Sequence, residues 1–332
     1  QFFGAVERLG QALYEYGAVS GASQQPFLRL PVPKNDDPAE ISYREFGRVL
    51  DEFATGLRRS EATLAEITDE GVKLNLKLGK LAFDFTRTGE RKTNLSDLLA
   101  SMNTRLPKAN QDLEIHFDRG DVAWLRAYCH LLCAMVEGYN AIDCEDGFSE
   151  RVDEVFPKTL TSGEPQPNWY EYLTVQDPQR LGRMRRHLAA VGGLNAETWD
   201  FIRSETDDDF EWLPHPKQTD QLNLPMSDGQ IDAWLTMMKN LEGLMTGDRL
   251  LPNSVVRWIA PKVPSGKGLN LKKLLDAPPR DLFNWKRLSE KGIDARYLED
   301  QAGKELFDIS VVILVWRFFD GPFGFARAVR MN

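Results

Sequence analysis

The sequence predicts a mainly α-helical globular fold, a multi-helix array around one buried central helix. Three observations predict it. Apolar residues recur at helical spacing along most of the chain, the stretch 121–143 is apolar on nearly every face, and proline-rich loops separate the periodic segments. The 332 residues are 42% apolar and 27% charged, an ordinary globular composition that excludes long disorder and a disulfide-stapled miniprotein.

The first 40 residues predict a helix followed by a tether. Residues 1–20 place apolar side chains at helical spacing. Residues 22–40 contain four prolines, which fix φ and remove backbone donors, so we expect an extended segment. The chain begins at Gln1 rather than Met, which either a cleaved signal peptide or a shortened chain would explain.

A second helix and a small β-hairpin are expected next. Ser42 and Glu45 have the spacing of a capping box, and the apolar period of 3.6 continues to about Ile67. Across 72–85 the period changes to two on either side of Gly79, which favours a hairpin with a type II′ turn. An irregular apolar loop packed against a helix is the alternative.

Helical patterns dominate the rest of the chain. We interpret 121–143 as the centre of the core, because a helix that is apolar all round is usually buried. The apolar segment 309–319 contains Arg317 and is too short to span a bilayer, so it is expected to be buried as well. Further helices are expected at 94–101, 179–191, 195–204, 228–246 and 269–275.

The proline- and glycine-rich stretch 157–167 is the predicted boundary between two parts of the molecule. Residues 1–40 are then the N-terminal helix and its tether, and 41–156 form a helical core subdomain that contains the hairpin. Residues 157–332 form a second helical subdomain that is rich in loops and packs on the first. One continuous domain is the alternative.

Asp84, Thr86, Thr88 and Glu90 are the candidate metal ligands. Oxygen donors at positions 1, 3 and 5 of a loop, with glycine at position 6, follow the spacing of a calcium loop. Position 12, where a bidentate glutamate normally completes the site, is Leu95, and basic residues add positive charge to the loop. We therefore interpret this segment as a polar turn without a cofactor, with Ca²⁺ binding as the alternative.

The three cysteines are too few for a disulfide framework, and they leave the cellular compartment open. Cys129 and Cys133 lie one helical turn apart beside His130, with Cys144 beyond them. A zinc site needs four ligands in a recognised pairing, and no second cluster is present. We interpret the thiols as small apolar residues of the core. The other three histidines are isolated in the local sequence.

Two acidic clusters, 143–154 and 205–211, would bind a divalent ion or act in acid–base catalysis if they converged. Charge runs of this kind are usually solvated, which is the interpretation we adopt. The net charge of −9 argues against nucleic acid or an anionic membrane as the main partner. No complete nucleophile, zinc-protease or nucleotide motif occurs, and the sequence predicts no catalytic residue.

Four segments of the chain resemble a family of uncharacterised bacterial proteins that are often predicted to be exported. The matching segments are 72–85, 121–132, 250–271 and 295–300. The resemblance implies a mostly helical fold and a periplasmic or secreted location, and it implies no reaction. In that family the loop after the paired apolar stretch is richer in Asp and Gly, whereas Thr86 and Thr88 occupy the acidic places here.

The function expected from the sequence is that of a non-catalytic exported or envelope-associated protein that acts through protein–protein contacts or within a larger assembly. Trp169, Tyr170 and Tyr172 are the candidate contact residues, because aromatic residues are enriched at interfaces. Packing of their loop against the helices is the alternative. The competing functions are a small-ligand-binding protein and a divalent-ion-dependent hydrolase that uses the acidic clusters. No nucleic-acid partner and no transmembrane segment are expected.

Overall fold

A computed structural model describes residues 1–19, 28–95, 114–152, 154–160, 171, 173–208, 210–219 and 227–312. These residues form nine α-helices and only short strands, which confirms the mainly helical class. In chain order the helices are α1 (Phe2–Glu15), α2 (Tyr43–Ala65), α3 (Arg119–Ala141), α4 (Phe148–Val152), α5 (Pro178–Ser204), α6 (Asp228–Thr246), α7 (Asn253–Ile259), α8 (Leu271–Asp276) and α9 (Trp285–Lys291).

Helix ends follow the capping chemistry that the sequence predicts. The Ser42 hydroxyl accepts a hydrogen bond from the Glu45 backbone N–H at 3.1 Å, although the Glu45 carboxylate turns away to Arg48. Helix α6 has a complete capping box between Ser227 and Gln230. It ends at Gly247, whose φ of 86° lies in the left-handed region that favours glycine.

Helix α5 is one continuous helix of 27 residues, where the sequence pattern predicted two helices, 179–191 and 195–204. Gly192 does not interrupt the helix, because it serves packing instead. A Cβ atom at Gly192 would lie 2.6 Å from the Glu242 Cβ and 3.1 Å from the Met238 carbonyl oxygen of α6. The missing side chain therefore allows α5 and α6 to approach closely.

The predicted hairpin over 72–85 is wrong. Strand β2 pairs with β5 and strand β3 pairs with β4, both antiparallel, while residues 78–80 form a 3₁₀ turn between β2 and β3. Leu78 is buried in this turn, and its burial takes the chain out of hairpin register. The strands are β1 (Ile41–Ser42), β2 (Leu74–Lys77), β3 (Ala82–Phe83), β4 (Thr93–Asn94), β5 (Glu114–Phe117), β6 (Ile142–Asp143), β7 (Thr159–Leu160), β8 (Thr174–Val175), β9 (Arg249–Leu250), β10 (Lys267–Leu269), β11 (Leu298–Asp300) and β12 (Glu305–Leu306).

The remaining strands form small two-stranded ladders that fasten the loops to the helices. Among the described residues, β1 pairs with β7 and β12 with β9 in parallel, whereas β10–β11 and β6–β8 are antiparallel. The β6–β8 ladder lies between the end of α3 and the start of α5, so it helps to set the crossing of these two helices.

Helix α3 is the central helix that the sequence predicts. On one side its Cys129, Leu132 and Val136 belong to a core that it shares with α1 and α2. On the other side Trp124 packs in a second core with Trp199 of α5 and with α6. The packing of α3 against α5 crosses the predicted boundary at 157, and the division into subdomains stays a prediction.

Several predictions fall on residues that the structure does not describe. These are most of the helix expected at 94–101, the part of 309–319 beyond residue 312, and the aromatic contact residues Trp169, Tyr170 and Tyr172. In the described part of 309–319, Val311 is buried as expected, whereas Ile309 and Val312 are each 38% exposed. In the described part of the chain, no helix combines the length and the apolar character needed to cross a membrane.

The crossing of α1 and α2 supplies a first test of the packing. A Cβ atom at Gly56 of α2 would lie 2.6 Å from the Ala5 Cβ of α1. We expect Gly56→Ala to lower the free energy of unfolding by about 1–3 kcal/mol through overpacking, although alanine is the better helix former. Gly229→Ala in the open first turn of α6 is the control, and it should not destabilise. Equal effects of the two substitutions in urea denaturation would contradict this packing.

Candidate functional site

Four acidic side chains converge where α3 begins and α5 ends. Asp118 is the N-cap of α3 and Asp121 lies in the first turn of that helix. Glu205 directly follows α5, and Glu211 comes six residues later, where it forms a β-bridge with His116. We call Asp118, Asp121, Glu205 and Glu211 the carboxylate cluster.

Local chemistry positions the two aspartates. Asp118 Oδ1 accepts hydrogen bonds from the backbone N–H groups of Gly120 at 2.7 Å and Asp121 at 3.3 Å. In return, the Asp118 backbone N–H donates to Asp121 Oδ2 at 3.2 Å. This reciprocal capping box fixes both side chains at the positive end of the helix dipole.

Tertiary contacts bring the two glutamates to the same place. Arg119 forms an ion pair with Glu197 of α5 at 2.8 Å, which holds the start of α3 against the last turns of α5. After α5 the chain returns to β5, where the His116 backbone N–H donates to the Phe210 carbonyl oxygen at 2.8 Å. This contact places Glu211 beside the capping box.

The cluster concentrates negative charge in a buried position. One carboxylate oxygen each of Asp118, Asp121 and Glu211 lies within 4.8 Å of the others. Asp121 and Glu211 are each only 4% exposed. Asp121 Oδ1 is buried and has no hydrogen-bond partner among the described residues. A buried carboxylate oxygen in this position is costly unless a proton or a cation neutralises it.

The electrostatics of the cluster shift two pKa values upward. Burial raises the pKa of Asp121 well above its ordinary value, and the charges of Asp118, Glu211 and Glu205 act in the same direction. Burial also raises the pKa of Glu205 to about 9, reinforced by the charge of Asp118 and a hydrogen bond with it. Without a cation, the Glu205 carboxyl group therefore retains its proton at neutral pH.

Aromatic residues are the chain neighbours of two members of the carboxylate cluster. The ring of Trp212, next to Glu211 in the chain, stacks on Phe117 with centroids 6.4 Å apart and lies 5.5 Å from the ring of Trp124. Phe117 immediately precedes Asp118, so the aromatic stack and the carboxylate cluster are neighbours in the chain at both of these places.

The sequence-predicted loop at Asp84 uses its carboxylate internally. Asp84 Oδ1 accepts from the Thr86 hydroxyl at 3.0 Å and from the backbone N–H groups of Thr86 and Thr88, and Oδ2 accepts from the Gly89 N–H at 2.7 Å. Glu90 forms an ion pair with Lys92. This is the geometry of a polar turn, and Ca²⁺ binding by these residues stays a prediction.

Only part of one predicted acidic run enters the carboxylate cluster. Glu205 and Glu211 come from 205–211, whereas Asp207 of the same run forms an ion pair with Lys73 at 2.9 Å. None of the described residues of 143–154 belongs to the cluster. Asp118 and Asp121 were not predicted as site residues, although two aspartates three residues apart before an apolar helix are a capping-box signal.

A histidine pair was also missed. His130 of α3 and His187 of α5 approach with their Nδ1 atoms 2.7 Å apart. Burial lowers the pKa of His187 to about 4, and the neighbouring His130 acts in the same direction. Both rings are therefore neutral at pH 7, one Nδ1 donating and the other accepting. The two residues are 57 positions apart, so no local motif announces the pair.

The three thiols are free and buried, as the sequence predicts. Burial raises the pKa of Cys133 to about 12 and raises the pKa of Cys129 as well, which suppresses the reactive thiolate. We expect the native protein to react slowly with Ellman's reagent at pH 8 and to reveal all three thiols after denaturation. Rapid reaction of Cys129 or Cys133 in the native protein would show that this side of α3 is open to water.

Comparison of this chain with family models, with curated proteins and with solved structures finds no match, so the family resemblance of the sequence stays a prediction.

Proposed function

We propose that this protein binds a divalent cation through the carboxylate cluster. The observation that carries the proposal is the buried Asp121 Oδ1, which has no hydrogen-bond partner among the described residues and lies with three other acidic side chains. A bound cation would neutralise the charge that burial and mutual repulsion otherwise oppose. It would also connect the start of α3 to the segment that follows α5.

The donor set favours a hard cation. All four side chains supply carboxylate oxygens, and Ca²⁺, Mg²⁺ and Mn²⁺ prefer oxygen ligands, whereas softer metals prefer thiolate or imidazole. The oxygens of Asp118, Asp121 and Glu211 are at most 4.8 Å apart, so one ion can bridge them with metal–oxygen distances of about 2.3–2.6 Å after a small contraction.

Thermal denaturation of the chelator-treated protein tests the proposal. Addition of Ca²⁺, Mg²⁺ or Mn²⁺ at about 100 times its Kd should stabilise the native state by about 2.7 kcal/mol and raise Tm by about 5 °C. Asp121→Asn should abolish this response while the variant without cation keeps its fold, because asparagine retains a side-chain oxygen for the capping box. Circular dichroism reports the fold of the variant.

Asp84→Asn is the matched control, because it removes one carboxylate from the loop that the sequence favours. This variant should respond to the cation as the wild type does. The proposal fails if no hard cation raises Tm of the wild type, or if Asp121→Asn keeps the full response. Loss of the response in Asp84→Asn alone would move the site to the 84–90 loop.

Protein contacts at the same face are the second candidate function. Leu74 of β2 and Phe210 beside Glu211 are large apolar side chains that are about half exposed, and both flank β5. We propose from these residues and from the sequence that the face binds a protein partner. A partner retained from native extract by the wild type and lost by a Leu74→Asp/Phe210→Asp variant would support this. A strictly monomeric protein that retains nothing from the extract would contradict it. The periplasmic or secreted location expected from the sequence stays a prediction.

A further inference from the structure

A second surface, far along the chain from the carboxylate cluster, exposes large apolar side chains. Trp258 of α7 is 78% exposed, Trp285 of α9 is 53% exposed, and Ile259 is 38% exposed. Tryptophan has one of the largest apolar side chains, so two exposed tryptophans leave a large apolar area in contact with water. Exposed apolar area of this kind marks an interaction site. We call Trp258, Ile259 and Trp285, together with the exposed Arg257, Lys286 and Lys291, the aromatic–basic surface.

Helices α7 and α9 lie beside each other under this surface. The Lys262 ammonium, just beyond α7, donates to the Glu290 carbonyl oxygen of α9. A Cβ atom at Gly292 would lie 3.5 Å from the Lys262 Cβ. Val256 of α7 and Leu288 of α9 are buried, so each helix that carries an exposed tryptophan is also anchored in the fold by a buried side chain.

The charge of this region is opposite to that of the whole chain. Residues 253–296 contain ten Lys and Arg against four Asp and Glu, although the protein has a formal net charge of −9. Arg257, Lys286 and Lys291 are exposed, and within the described chain none of them forms an ion pair. Net charge argues against an anionic partner only on average, because salt screens charges beyond about 8 Å at physiological ionic strength.

We propose that the aromatic–basic surface binds peripherally to membranes that contain anionic lipid headgroups. Tryptophan favours the membrane–water interface, where its ring is accommodated among the headgroups. Lysine and arginine beside it are attracted to anionic lipid. The exposure of Trp258 favours lipid over an acidic protein, because a protruding side chain enters a bilayer without a shaped pocket. This inference does not depend on cation binding by the carboxylate cluster.

Vesicle sedimentation with the full chain tests the inference. The protein should sediment with phosphatidylcholine vesicles that also contain phosphatidylserine, and much less with phosphatidylcholine alone. Tryptophan emission should shift to shorter wavelength on binding, and added salt should weaken the binding. Trp258→Ser/Trp285→Ser should reduce the partition coefficient about tenfold or more, since it removes both interfacial side chains.

Charge reversal separates the local surface from the charge of the whole protein. Lys286→Glu/Lys291→Glu should reduce partitioning about tenfold or more. Arg44→Glu/Lys239→Glu, at exposed positions of α2 and α6, changes the net charge equally and should leave partitioning close to wild type.

Three results would overturn the inference. These are the absence of binding to vesicles with phosphatidylserine, equal losses in the two charge-reversal pairs, and wild-type binding by the tryptophan variant. Capture of an acidic polypeptide by a chain that ignores both kinds of vesicle would assign the surface to a protein partner instead. All substituted side chains are exposed, so circular dichroism should show unchanged folding in every variant.

Discussion

Glu137→Ala should lower the free energy of unfolding by about 1.5–3 kcal/mol, because it removes a buried acceptor that three arginines share. Glu137 of α3 is 3% exposed, and its carboxylate accepts from Arg180 at 3.1 Å and from Arg183 at 3.0 Å. Arg58 of α2 lies 3.6 Å from the same carboxylate. One side chain therefore joins α2, α3 and α5. Urea denaturation followed by circular dichroism at pH 7 measures the loss.

Two further variants make this test specific. Glu137→Gln keeps an acceptor oxygen for the arginines and should cost less than the alanine variant. Glu66→Ala removes an exposed carboxylate at the end of α2 and should change stability by no more than about 0.5 kcal/mol. An alanine variant at 137 within about 1 kcal/mol of wild type would show that the arginines find other partners.

Acidification from pH 6.5 to pH 4 should remove about 2 kcal/mol of stability through His187 alone. Burial, with His130 beside it, lowers the pKa of His187 from 6.5 to about 4. In this interval the unfolded chain binds a proton that the folded chain does not. The contribution of His187 to the free energy of unfolding is therefore fully present above pH 6.5 and is lost as the pH falls towards 4. A shift of this size corresponds to about 3 kcal/mol at most, reduced here because water partly reaches the ring.

Replacement of the histidine isolates its contribution from that of other titrating groups. Groups facing the pair include Glu61 and Arg58 of α2, Arg126 and Glu137 of α3, and Arg186 of α5. These groups remain in His187→Gln, so the difference in slope between wild type and variant reports the histidine pair. Urea midpoints at several pH values should fall less steeply in His187→Gln. Identical slopes would mean that the pair titrates normally in the folded protein.

The interface between α3 and α5 has a polar seam along its length. The two helices run antiparallel, since Glu137 meets Arg180 at one end, His130 meets His187 in the middle, and Arg119 meets Glu197 at the other end. The carboxylate cluster continues this seam beyond Arg119. Polar contacts at fixed positions tolerate no sliding of one helix along the other, so the seam sets the helix register. A cation at the cluster would strengthen one end of it.

Local chemistry in the chain was enough to locate most helices and the buried thiols. The caps at Ser42 and Ser227 and the helix end at Gly247 depend on interactions over a few residues. Such local signals can be predicted from the sequence alone. The apolar stretch 121–143 was likewise recognised as the central helix. The partners of its polar residues His130 and Glu137 could not be predicted, because the apolar pattern of one helix does not show which helix packs against it.

Long-range pairing decided the rest. Strand β2 pairs with β5, the strand that precedes α3, although β3 is nearer to it in the chain. The burial of Leu78 between β2 and β3 prevents the two from pairing as a hairpin. The carboxylate cluster formed because the capping box of α3 meets the chain that leaves α5, roughly 90 residues later in sequence. Repulsion among four acidic groups opposes such a meeting. The packing of α3 on α5, the Arg119–Glu197 ion pair and the contact of β5 with Phe210 hold it in place.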